Sequence, residues 1–303
     1  MTTHAASPGP VPAAPDRIPP AAAWRLSVDG AALYLPGAVP AAALEDFLGR
    51  PVGDWARQFA EPADPAAVVG RKGLRYAEPA TRLALCAVHR ALGLPRAARP
   101  APVLSARTAV IGCSDLGNVD VVARVARTVA EEGSRGVSVL DAPNVSSNVL
   151  ASTVAQWFGF GGPNLMLCSG PDAGSIGLRL AARLLRAGRA DRVVLVGAEP
   201  SDEVATALHA ADGLGRLAAG AACLILRAGA PSGLAVISPV DDGAGAKIVV
   251  GPGGFEPAEH WGDHRAARDV VALALAVHLA GEEDTTVLVR RRDGSAGALV
   301  GAP

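Results

Sequence analysis

Aromatic residues are scarce: Phe, Trp and Tyr together make up 4% of the 303 residues. So few rings leave little material for the stacking platforms that hold single-stranded nucleic acid. An excess of positive charge is missing too. The formal net charge is −1, so no global field exists to hold a nucleic acid or an anionic membrane. The four cysteines, Cys86, Cys113, Cys168 and Cys223, are far apart, with no CxxC and no His/Cys cluster. That argues against a zinc ribbon or finger, and a disulfide framework is not expected in a chain this long. No run of 18 residues is apolar and free of charge, Gly and Pro, so no membrane span is expected. The N-terminus lacks the basic-then-apolar order of a signal peptide. The expectation is a cytoplasmic protein with no nucleic-acid, membrane, metal or cofactor partner.

What the chain does have is apolar mass: half of it is hydrophobic, mostly Ala, Val and Leu, with 35 Gly and 24 Pro. Residues 1–22 are Pro/Ala-rich and read as a disordered tail; residues 23–303 read as a single domain. Trp24–Leu35 suits a strand or hairpin and Ala41–Phe59 a helix, with Leu44, Phe47, Leu48 and Trp55 inward. A helix over Ala77–Leu92 precedes a break at Gly93–Pro102. Thr108–Cys113 suits a buried strand, and Val119–Glu132 a helix with one wet face. Residues 142–156 read as a turn feeding a helix, and Asn164–Cys168 as a strand. A turn at Ser169–Asp172 then leads to an amphipathic helix over Ile176–Ala187. Arg192–Gly197, Ala221–Leu226 and Lys247–Val250 read as strands. Arg265–Leu279 reads as a helix, followed by strands at Thr285–Arg290 and Gly297–Val300 about an Asp293-Gly294 turn. Alternating strands and helices argue for a layered α/β fold with a buried, mostly parallel sheet.

The strand–turn–helix at 164–187 is where chemistry is best placed. A side chain at such a turn is exposed, and the helix N-terminus aims backbone N–H groups and a positive dipole end at it. That geometry lowers a thiol pKa and stabilises an oxyanion. Cys168, at the strand end, reads as a buried core thiol and Ser175 as a residue of the helix N-terminus. Gly251-Pro252-Gly253-Gly254 lacks the Lys-Ser/Thr of a P-loop and reads as a plain turn. His260 and His264 are four apart, but Gly262 weakens a helix there and no third ligand is signalled. They read as a solvated polar turn, and Arg290–Arg292 as a solvated strand end.

The stretches GLRYAEPATRLALCAVHRAL (73–92), TAVIGCSDLGNVDVVARVARTVAEEG (108–133) and PNVSSNVLAS (143–152) carry a resemblance. FGFGGPNLMLCSGPDAGSIGLRLAARLLRAGRADRVVLVGAEP (158–200) and AAGAACLILRAGA (218–230) continue it. Together they resemble the N-terminal half of a β-ketoacyl synthase. The resemblance covers about half the chain and implies a thiolase-like layered α-β-α fold. The N-terminal half is largely kept. Only about 75 residues follow Ala228, so the C-terminal half is expected to be shortened.

The departures bear on function. In that family the nucleophilic Cys lies about nine residues after the Gly of its Gly-Pro element. Counting from Gly162 gives Pro171, which has no nucleophile and no N–H. Asp172 follows and is expected to cap the helix, putting a carboxylate where a thiolate needs a positive end. Condensation is therefore not expected at this turn. Ser169 or Cys168 would have to substitute for the lost thiol in any acyltransfer, decarboxylation or thioester hydrolysis. Gly262-Asp263-His264 resembles the family's Gly-His-Thr element only after a one-residue slip, which makes His264 a weak counterpart of an active-site histidine; the segment equally resembles the family's later Gly-rich loop before an Ala-rich helix. Asn144, Ser146, Ser147 and Asn148 resemble the loop near the family's dimer contact and acyl pocket; Ser and Asn also suit a helix N-cap. Arg179, Arg183 and Arg186 share a polar helix face that suits docking of an acidic acyl carrier protein. The resemblance implies a non-catalytic partner subunit like a chain-length factor, lacking the Cys. It would pair with a catalytic ketosynthase as a heterodimer, or with itself, in a bacterial polyketide or fatty-acid pathway.

Overall fold

The computed structural model describes residues 24–99, 106–229, 233–240, 245–283 and 285–303. The tail expected over 1–22 lies outside these, as does the end of the break expected up to Pro102.

The chain opens with strand β1 (Leu26–Tyr34). The single helix expected over 41–59 is instead α1 (Pro40–Leu48) and α2 (Asp54–Gln58). Gly49 closes α1 in the left-handed region, and Pro51 lacks the N–H a continuous helix needs. Leu44 is buried but Phe47 is exposed. Next come α3 (Pro65–Val69) and α4 (Pro79–Ala91), the latter buried along almost its whole length. Strand β2 (Thr108–Cys113) and helix α5 (Val119–Glu132) fall where periodicity puts them. They are followed by α6 (Val149–Phe158), β3 (Asn164–Leu167), α7 (Ala173–Arg186) and β4 (Arg192–Glu199). Helix α8 (Glu203–Ala211) then leads to β5 (Gly220–Ala228) and β6 (Ala235–Pro239). The last third holds β7 (Ile248–Val250), α9 (Pro257–Trp261), α10 (Arg268–Glu283), β8 (Val287–Arg290) and β9 (Ala296–Gly301).

Among the described residues nine strands form one sheet in the order β3-β2-β4-β5-β1-β6-β9-β8-β7. The sheet is mixed rather than mostly parallel. β2 pairs in parallel with β3 and β4, and β7 with β8, while every other pairing is antiparallel. An apolar run marks a strand as buried but carries no direction, which is why the sequence pattern misled here.

The pairing repeats itself. From β1 outward run β5 antiparallel, β4 antiparallel to β5, then β2 parallel to β4. From β6 outward run β9 antiparallel, β8 antiparallel to β9, then β7 parallel to β8. Helix α7 enters β4 as α10 enters β8. The second copy lacks a counterpart of β3, so among the described residues the C-terminal half is a reduced version of the N-terminal one. The halves join where Leu26–Val28 of β1 pair with Ala235–Ile237 of β6.

One core cluster gathers round α7 and α10, and a second lies under α4 and α6 on the other face of the N-terminal strands. Helix α10 is apolar all round from Val270 to Val277, as expected of a helix buried on every side. It touches β1, β4 and β5 of the first half and β6 to β9 of the second. Helix α10 is therefore packed against strands of both halves, in keeping with the layered thiolase-like arrangement.

Candidate functional site

The parallel strands β2, β3 and β4 end side by side, at the carboxyl edge where α/β sheets hold their sites. Three loops leave that edge, at 114–118, 168–172 and 199–202. The short 3₁₀ turn of Arg265–Ala267, just before α10, packs against the 170–172 turn.

The elbow itself follows β3. Gly170 sits at φ +70°, a conformation that only glycine adopts without strain. Pro171 and Asp172 complete a 3₁₀ turn, and α7 starts at Ala173. The Gly170 N–H donates to Asp115 Oδ1 at 3.1 Å. The other Asp115 oxygen accepts from Arg265 Nε at 2.9 Å, and Arg265 Nη1 reaches Asp212 Oδ2 at 2.7 Å. One aspartate thus ties the elbow to the turn before α10.

Glu199, at the end of β4, is fully buried. It accepts from the backbone N–H of Asp115 (2.8 Å) and Leu116 (3.0 Å) and from the Ser114 hydroxyl (3.1 Å). Burial nevertheless pushes its pKa up to about 8, against the pull of those three donors.

Asp172 occupies the N-cap of α7 but makes no capping hydrogen bond, contrary to expectation. Asp269, from the first turn of α10, takes that role: its Oδ2 accepts from the Ser175 N–H at 2.9 Å. The helices meet closely here, since a Cβ on Gly174 would lie 2.6 Å from the Asp269 Cβ. Burial raises the Asp269 pKa.

The candidate nucleophiles are poorly served. Cys168 is exposed, not a core thiol, because β3 is an edge strand with every residue only half-buried. Its pKa is raised, first by desolvation and then by the negative charges of Asp115 and Glu199. Ser169 is exposed, and no hydrogen bond among the described residues links its hydroxyl to a base. Pro171 stands at the turn where the count from Gly162 put it. Asp115, Asp172 and Asp269 lie at or beside the elbow, and Glu199 adds its charge once its proton leaves above about pH 8. This arrangement opposes a developing anion instead of stabilising one.

His264 is not in a solvated turn. It is buried against Gly220, bonded to the backbone at Gly262, and burial depresses its pKa to about 4. His260 is exposed and stacks on Phe255, so the two histidines occupy opposite environments and do not form a ligand pair. The Gly251–Gly254 segment is a plain turn: Gly254 N–H donates to Gly251 O and Gly251 N–H to Phe255 O. The Gly251 and Gly254 amides are thus spent internally.

Asn144 is buried, with Nδ2 donating to Tyr76 O, while Asn118 Nδ2 donates to the carbonyls of Asn144 and Ser146. Asn148 sits at the N-cap of α6, but its side chain donates to Asn164 Oδ1 on β3 and not to its own helix. Ser147 is exposed. Arg179, Arg183 and Arg186 are all exposed on α7, and none forms an ion pair among the described residues.

Sequence reading missed Asp115, Glu199, Arg265 and Asp269. The available signal was positional: Ser114-Asp115 and Glu199 are the polar residues that close the two apolar parallel strands.

Residues 45–236 match the family model described as Beta-ketoacyl synthase, N-terminal domain. No curated protein matches the sequence. Among solved structures, the chain is similar to the ishigamide ketosynthase/chain length factor. The TM-score is 0.67 at 19% identity, covering 91% of this chain and 98% of that one. It is similar to the AntDE:AntF complex, a type II acyl-carrier protein with its ketosynthase bound to the hexaketide: TM-score 0.68, 16% identity, 92% and 100% coverage. A β-ketoacyl synthase from Burkholderia phymatum gives TM-score 0.63 at 15% identity, with 91% and 98% coverage. At these identities the structures speak for the fold.

Proposed function

Because the chain belongs to the β-ketoacyl synthase family, we propose that it is a non-catalytic partner subunit of the chain-length-factor kind. It would serve a bacterial polyketide or fatty-acid pathway beside a catalytic ketosynthase. The observation that carries this reading is the elbow. Pro171 stands at the nucleophile position, and Asp115 holds the turn closed while carboxyl groups replace the electropositive surroundings a thiolate needs.

The surface beside the elbow supports a partner. Edge strand β3 offers an unpaired backbone edge. Val122, Val129, Val139, Leu140 and Val145 are large apolar residues exposed on α5 and the 137–145 segment that follows it. Such surface on a soluble fold marks an interface. The Asn144–Asn148 loop is fastened to β3 through Asn164, which would place Ser147 and Asn148 where a shared acyl channel is shaped. The Arg179, Arg183 and Arg186 stripe suits the acidic face of an acyl carrier protein.

The test is co-expression with a catalytic ketosynthase from the same source, followed by mass measurement of the complex. A one-to-one complex is expected, with product length altered by Ser147→Trp or Asn148→Trp. A stable homodimer that ignores the ketosynthase overturns the reading. A second reading, acyl transfer or thioester hydrolysis on Ser169 or Cys168, is favoured by one observation: both side chains are exposed at the elbow. Intact-mass detection of an acyl adduct, lost in Ser169→Ala or Cys168→Ala, would establish it; no adduct from any acyl thioester rejects it.

A further inference from the structure

Away from the elbow, a cavity of about 460 Å³ opens between β1, α2, α3 and α4. That volume suits a small molecule. Trp55 and His278 stack at 5.3 Å on one wall, with Phe59 tilted against both. Ala31, Leu33 and Val68 add apolar surface.

The lining carries two cations, Arg90 and Arg96, against one carboxylate, Glu61, while Glu282 bonds the Trp55 indole from behind that wall. Arg90 is half-buried, and its guanidinium donates only to neutral groups: the carbonyls of Leu33 (3.0 Å), Gln58 (2.6 Å), Phe59 (3.5 Å) and Glu61. It also lies 4.6 Å over the Tyr34 ring. Arg96 stands exposed at the rim. Among the described residues no carboxylate pairs with either arginine; Glu61 lines the rim but gives Arg90 only its carbonyl. The Ala97 N–H bonds to Val68 O, which holds the Arg96 loop next to the segment bearing Arg71 and Lys72. A half-buried cation lacking a counter-charge is costly, and a cleft with low-dielectric walls focuses its field on an incoming anion.

A polar group is unused as well. His89 is 2% exposed, lines the cavity, and has no hydrogen-bond partner at Nε2. Its ring bonds the backbone at Pro95 and Ala98, and burial lowers its pKa. The neutral ring with Nδ1–H committed leaves Nε2 as an acceptor, which suits a ligand hydroxyl.

We infer that this cavity binds a small aryl carboxylate, its anion drawn by Arg90 and Arg96 and its ring lying against Trp55, Phe59 and His278. The inference stands apart from the partner-subunit reading, because it concerns direct binding by this chain, free or in complex.

Isothermal titration and ligand-observed NMR with 3-phenylpropanoate, 3-(4-hydroxyphenyl)propanoate and 3-phenylpropanamide test it. Both carboxylates should bind saturably, the hydroxylated one more tightly, and the isosteric amide about tenfold or more weakly. Ala67→Trp, which fills the cavity from its half-exposed α3 wall, should abolish binding, and Arg96→Gln should weaken it severalfold. Circular dichroism of both variants checks that the fold is intact. Equal binding of the amide, binding undiminished in Ala67→Trp, or no saturable binding up to about 10 mM would each overturn it.

Discussion

Glu199 shows how one residue sets a pH dependence. Its carboxyl is buried, so the folded protein holds its proton up to about pH 8, whereas the unfolded chain releases it near the ordinary carboxylate value of 4.5. Between those limits the folded state binds more protons than the unfolded one, so stability falls as pH rises, by at most ~1.4 kcal/mol per unit. Urea unfolding from pH 5 to 9 should show that decline, and Glu199→Gln should remove it. Arg265 is a second lever. It carries a φ of +41° and joins Asp115 to Asp212. Arg265→Ala should cost ~1–3 kcal/mol, read by urea denaturation, because Asp115 is left mostly buried without its cation. Pro171 was legible in the sequence by counting from one Gly-Pro element. Asp115, Glu199 and Arg265 were not, because their partners lie 84 and 150 residues away and no local pattern announces such a meeting.

At the scale of elements, the meeting of α7 and α10 decides the geometry of the elbow. Gly174 lets the two helices approach until Asp269 replaces Asp172 as the cap of α7. Gly174→Ala should therefore push the helices apart and destabilise the fold by ~1–3 kcal/mol, measured by thermal or urea unfolding. Asp269→Ala should cost about 1 kcal/mol through the lost cap. Helices α4, α5, α7 and α10 could be read from the sequence to within a few residues, because burial on one face or on all faces leaves a plain signature. Helices α8 and α9 were missed. Both carry local start signals that were passed over: Asp202 caps α8 through the Ala205 N–H, and Glu256 caps α9 through the Ala258 N–H. Cys168 was misread for a different reason: its apolar run looks like a central strand, and only the sheet order reveals an edge.

For the whole molecule, the reduced C-terminal half leaves the N-terminal five strands to carry the site and the exposed β3 edge. Leu165→Arg on that edge should abolish co-purification with the ketosynthase while leaving the circular dichroism spectrum intact. Loss of binding together with loss of fold would instead make Leu165 a folding residue. The far end of the sheet behaves differently. There β7 is three residues long, and the backbone beyond it folds back: Phe255 N–H donates to Val249 O, and Phe255 O accepts from Gly251. That outer edge is occupied by its own chain, so strand addition can proceed from one end only. An assembly made through the β3 edge must then stop at two subunits. The parallel bridge at Phe255, anchored by a fully buried ring, thus acts as a chain terminator for sheet growth at that end.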